Sequence, residues 1–92
     1  MYIALLTMNF RLTGCHSLKE KRSRLRGLKD KFGKYPNLAI SESDHHDDHQ
    51  LAQWQAVVLC ESKTTGQQHF EQIQQFVQTL DVVLIDSYVE VM

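Results

Sequence analysis

The chain has 92 residues, enough for one domain around a single core and too few for two. Its residues are 42% hydrophobic and 23% charged, as in an ordinary globular chain, and no apolar run reaches the roughly 18 residues of a membrane span. The net charge of −1 conceals a split: residues 1–34 carry nine basic and two acidic side chains, +7, and residues 35–92 carry one basic and nine acidic, −8. Such a split suits either a basic patch for an anionic partner or two halves that satisfy each other once folded.

The opening MYIALLTM alternates and lacks a positively charged start, so it is expected to form a strand rather than a secretion signal, and the protein to be cytoplasmic. The even positions Tyr2, Ala4, Leu6, Met8, Phe10 and Leu12 are apolar throughout and form the core face. Thr13 and Gly14 break the run. Ser17, with Glu20 three residues later, makes a capping box, so a helix starts at Leu18. Its apolar stripe is Leu18, Leu25, Leu28 and Phe32, and Gly33 followed by Pro36 marks its end.

A short second strand covers 38–41 and a longer third one 51–61, with Ala52, Trp54, Ala56, Val58 and Cys60 on one face. The polar hairpin SDHHDDHQ joins them. A second helix is expected from about Gly66, capped by Thr65 with Gln68 at the box position, its stripe formed by Phe70, Ile73, Phe76, Val77 and Leu80. Residues 81–91 read as a fourth strand with Val83, Ile85, Val89 and Val91 inward.

The order β-α-β-β-α-β, with one-sided strands and two amphipathic helices, predicts an α+β domain spanning 1–92. Its architecture is the ferredoxin-like split βαβ arrangement, a four-stranded antiparallel sheet with both helices on one face. In that topology residues 13–22 and 42–50 meet at one end of the sheet. Cys60 lies near the other end, away from Cys15, and both are expected to be free thiols.

The string G-C-H-S-L-K-E-K-R (14–22) after an opening strand, the acidic Glu42 and Asp44 after the second, and L-A-Q-W-Q (51–55) opening the third resemble the bacterial YlxP-like family of unknown function. The resemblance covers essentially the whole chain and implies the same fold. Genes of that family commonly lie near those for translation initiation and ribosome maturation factors, which implies work on the ribosome. The histidine- and aspartate-rich hairpin is longer here than the family pattern.

Three groups of residues are candidates for chemistry. At the start of the first helix, free amides and the Ser17 hydroxyl offer an anion site, and Lys19, Arg22, Arg26 and Lys29 recur at spacings of three and four along one flank. Such a stripe holds a nucleic-acid backbone without reading its sequence; the bland alternative is a solvated helix face. Lys21 falls on the buried stripe, and the alternation of the second strand puts Glu42 on the core side at the same end. A Lys21–Glu42 ion pair at the rim of the core is therefore expected, with a structural role.

The hairpin residues Asp44, His45 and His49, joined by His16, have the donor types of a divalent metal site, but their spacing matches no tight motif. A simple polar loop is the leading reading of them, with opportunistic divalent metal binding as the lesser alternative and no dedicated cofactor. Cys15 beside His16 reads as a loop before a cap rather than a nucleophile with its base, and no catalytic constellation is visible.

The sheet face away from the helices is expected to expose Ile3, Leu5, Val57, Leu59, Val82 and Leu84. It lacks the stacking aromatics of an RNA-recognition sheet and suits contact with another protein or a second copy. The leading expectation is thus a small non-enzymatic protein that binds ribosomal RNA or a ribosomal subunit through its first helix. The alternatives are a homo-oligomer without RNA and a metal-binding protein using the hairpin.

Overall fold

The alternation of the opening segment produces β1, Tyr2–Arg11, which becomes an inner strand of the sheet. The computed structural model describes residues 1–92 and continues with α1 (Leu18–Phe32), β2 (Leu38–Asp44), β3 (Leu51–Cys60), α2 (Lys63–Val77) and β4 (Val83–Val91). The strands lie in the order β2-β3-β1-β4, and every neighbouring pair is antiparallel. Both helices cover one side of the sheet, α1 over β2 and α2 over β3 and β1. This is the ferredoxin-like α+β fold.

Burial sets the register. Leu6, Met8 and Phe10 on the helix side of β1, and Leu12 just beyond its end, are fully buried, and each such side chain contributes about 1.5–3 kcal/mol. The odd positions Ile3 and Leu5 face away, and Ile3 stays 45% exposed. A slip of one residue would exchange these two sets, so the core face fixes the pairing. The helices approach one another closely at Gly27, where a Cβ would stand 2.9 Å from Phe76 Cζ. At Gly66 a Cβ would stand 3.0 Å from Cys60 Sγ, so a bare backbone lets α2 settle onto β3.

Three expectations are corrected. Helix α2 begins at Lys63, because Ser62 is its cap: Ser62 Oγ accepts the Thr65 amide at 3.2 Å, which leaves Thr65 inside the first turn. Strand β2 runs on to Asp44, with an irregularity between Glu42 and Asp44. In β4 the inward and outward sets are partly exchanged. A bulge at Ile85, where the register shifts between Asn9 and Phe10, pairs Leu84 with Phe10 and Val83 with Arg11. Val82 and Leu84 therefore pack on the core instead of joining the open face, while Val83 and Ile85 are 51% and 47% exposed. Beyond the bulge the parity changes, so Val89 and Val91 return to the helix side opposite Leu6 and Ala4. A strict alternation read across residues 83–91 misses that change.

Candidate nucleic-acid interface

Ser17 starts α1 with its backbone extended, its Oγ accepting the Glu20 amide at 3.1 Å. Glu20 Oε2 reaches back to the His16 amide at 3.1 Å, and Glu20 Oε1 meets Arg24 Nη2 at 2.8 Å. The Arg24 guanidinium and the His16 amide hold the Glu20 carboxyl below its usual range. Arg24, raised in turn by Glu20, also donates to the Thr13 carbonyl at 2.9 Å and stands 3.5 Å from Asp81 Oδ2. The start of the helix thus carries its own anion. Ser17, expected to offer a hydroxyl to a phosphate, is engaged as the cap acceptor.

The seven basic residues of α1 are sorted by the helical period. Lys21 is buried. Arg24 and Lys31 lie on the flank that meets α2, Lys31 with its ammonium 4.8 Å from the centre of the Phe76 ring. Lys19, Arg22, Arg26 and Lys29 lie on the other flank, all exposed and none in an ion pair. Asp30 is the acidic residue closest to them in the helical order, and it too is unpaired.

Lys21 is 2% exposed, and its ammonium lies 2.9 Å from Glu42 Oε2. That contact is one of charge rather than an aligned hydrogen bond, since Glu42 Oε2 is otherwise without a partner. The aligned bonds go to the hairpin: Lys21 Nζ donates to the His45 carbonyl at 2.7 Å and the Asp48 carbonyl at 2.8 Å. One buried ammonium therefore ties α1, the end of β2 and the β2–β3 turn together. His45 adopts φ 62, a left-handed conformation in which its carbonyl turns toward Lys21. Asp48 Oδ1 accepts the Gln50 and Leu51 amides at 2.8 and 3.0 Å, and these amides, the first above all, lower its pKa.

Of the metal candidates only His16 and His49 are brought to a common cleft. No set of three or more His, Cys, Asp or Glu side chains is placed to hold an ion. Asp44 accepts the His45 amide, the His45 backbone serves Lys21, and His16 and His49 line a shallow cleft of about 420 Å³ with Asp47 and Asp48. Cys15 is buried, its Sγ 3.4 Å from the Ser17 carbonyl, and Cys60 is a separate free thiol.

On the open face Ile3, Leu5, Val57 and Leu59 form an apolar half, with Ile3 paired to Leu59 and Leu5 to Val57. The other half is polar. Ser43, Gln53, Asn9 and Asp86 form a side-chain ladder across all four strands, with links of 3.1, 3.1 and 2.7 Å. Neither this ladder nor Arg24 stood out in the sequence. Arg24 had a signal in its spacing of four from Glu20; the ladder had none, because it depends on register.

A family model described as "Protein of unknown function (DUF503)" matches residues 3–88. The chain belongs to this family. No curated protein sequence matches it. Among solved structures, the fold is similar to the de novo designed protein Foldit4, at TM-score 0.60 and 12% identity, covering 100% of this chain and 94% of that one. It is also similar to SnoaB, a cofactor-independent oxygenase from Streptomyces nogalater, at TM-score 0.53 and 14% identity over 99% of this chain and 90% of that one. A chlorite dismutase-like protein matches at TM-score 0.55 and 14% identity; the match covers 99% of this chain but only 44% of that longer one. At these identities the likeness is one of fold alone. No helix is long and apolar enough to cross a membrane.

Proposed function

We propose that this DUF503 protein is a non-enzymatic RNA-binding protein that holds the phosphate backbone of structured RNA with Lys19, Arg22, Arg26 and Lys29. The observation that carries the reading is the sorting of the α1 cations. The fold uses Lys21, Arg24 and Lys31 for its own packing and leaves the other four exposed, unpaired and on one flank. A flank of this kind contacts phosphates without base readout and releases counterions on binding. The finer likeness of H-S-L-K-E-K-R to YlxP-like proteins supports a setting in translation or ribosome maturation, with ribosomal RNA as the partner. Asp47 and Asp48 beside the helix start disfavour a phosphate there, so the contact runs along the middle of α1.

Filter binding to a ribosomal RNA fragment at several salt concentrations tests this. Four phosphate contacts give a slope of log affinity against log salt of about −3 to −4, and Arg22→Ala/Arg26→Ala lowers its magnitude by about 2. Binding that is absent, or indifferent to salt and to this double substitution, overturns the reading.

A further inference from the structure

Helix α2 packs on β3 and β1 and reaches β4 through Gln74 Nε2, which donates to Ser87 Oγ at 2.9 Å, so the helix side of β4 is left open beyond Ser87. Val89 and Val91 are 44% and 48% exposed, and a cavity of about 350 Å³ opens between them and Phe70. Tyr88, on the opposite side of the strand, is 50% exposed. As the outer strand of the sheet, β4 has no partner along its far edge.

The direction of that edge follows from one pair of bonds. Ile3 and Met92 exchange both backbone hydrogen bonds, at 3.4 and 2.8 Å. By the alternation of an antiparallel ladder, Glu90 and Tyr88 also turn their amides and carbonyls toward β1. The intervening Ser87, Val89 and Val91 therefore turn theirs outward, where only another extended strand can bond them in series. No lysine or proline blunts this edge.

We infer that β4 pairs antiparallel with β4 of a second copy, about a two-fold axis centred on Val89. In this register Val89 faces Val89 and Ser87 faces Val91 of the second copy, all through outward-turned backbone groups. The exposed valines of both copies meet beside the two cavities and cover them, and on the open side Tyr88 lies opposite Glu90 of the second copy. Charge and the bulge select this register. A centre at Tyr88 opposes Asp86 with Glu90, a centre at Glu90 opposes that carboxylate with itself, and a centre at Ser87 draws the bulged Ile85 into the ladder. A second copy meets all these conditions by symmetry alone. The interface thus lies on the edge of the sheet, not on the apolar half of its open face. The basic flank lies over β2 at the opposite edge, so the dimer and the RNA reading stand independently.

Sedimentation equilibrium from micromolar to millimolar protein tests the inference. The wild type is expected to pass from monomer to dimer, with amide exchange at Ser87, Val89 and Val91 slowing as dimer forms. Val89→Pro removes only an outward amide and places a ring where the second strand would lie, so it raises the dissociation constant more than tenfold while circular dichroism is unchanged. Leu59→Lys, on the open face, leaves the dimer intact. A wild type monomeric at millimolar concentration, a folded Val89→Pro protein that still dimerises, or a Leu59→Lys protein that does not, overturns the inference. If Val89→Pro fails to fold, exchange in the wild type decides: no concentration-dependent protection at the three edge amides sinks it.

Discussion

Strand β2 carries Leu38 and Ile40, 7% and 8% exposed beneath α1, whereas Val89 and Val91 of β4 stand 44% and 48% exposed beside α2. Both strands are edges of one sheet, and the difference comes from where the helices rest. Helix α1 lies over β2 and is tied there by Lys21, which reaches Glu42 on the strand and two carbonyls in the turn after it. Helix α2 is drawn inward, because Gly66 lets its backbone approach Cys60 and Gly27 admits the Phe76 ring against α1. Two helices set close together over β2, β3 and β1 leave the end of the fourth strand, at Val89 and Val91, exposed. A ferredoxin-like sheet can thus finish one edge within the chain and leave the other for a partner.

The largest break in this comparison is expected at Lys21. Lys21→Ala leaves the Glu42 carboxylate and the His45 and Asp48 carbonyls without their shared cation, and removing one partner of a buried pair costs about 3–5 kcal/mol. Glu42→Gln leaves the lysine its two carbonyl bonds and should cost about 1–2 kcal/mol. Urea unfolding measures both. Equal losses for the two variants would mean that the turn carbonyls contribute nothing to the tie.

A smaller effect separates the strands themselves. Ile40→Ala in β2 should cost about 2–4 kcal/mol, as expected for a buried aliphatic side chain. Val89→Ala in β4, measured in dilute protein, should cost less than about 1 kcal/mol, because nearly half of its surface is already in water. Similar losses at the two positions would show that α2 covers β4 in solution and would remove the contrast.

How much of this was legible in the sequence depends on the range of the interaction that decides each feature. Period and capping residues are local, so β1, α1 and the order of elements could be read directly. The inward placement of Lys21 and Glu42 followed from two local periods meeting at one end of a recognisable topology. The true cap of α2 at Ser62 was obscured because Thr65 offers a second hydroxyl three residues later. The exchange of Val82 and Leu84 for Val83 and Ile85 could not be read. A single bulged residue changes parity, and its position is set by pairing with β1 rather than by the composition of β4. The same holds for the Lys21 bonds to the turn, since a backbone carbonyl carries no mark in the sequence.

The two edges should also respond differently to acid, and this is the smallest effect expected. Glu20 and Asp48 have lowered pKa values, the first held by Arg24 and the His16 amide, the second by the Gln50 and Leu51 amides. Asp48 sits in the β2–β3 turn that Lys21 ties to α1, and Glu20 at the start of α1 on the flank that carries Arg24. A carboxylate with a folded pKa below its unfolded one stabilises the fold above the unfolded value, about 4. That contribution is lost as the pH falls through this value toward the folded pKa. Asp48 is exposed and Glu20 half-exposed, so solvent screening keeps the contribution modest. Thermal midpoints of the wild type should therefore fall more steeply between about pH 5 and pH 3 than those of Glu20→Gln or Asp48→Asn. Parallel curves for all three proteins would mean that neither carboxylate is coupled to folding, and that the edge at β2 is held by Lys21 and apolar packing alone.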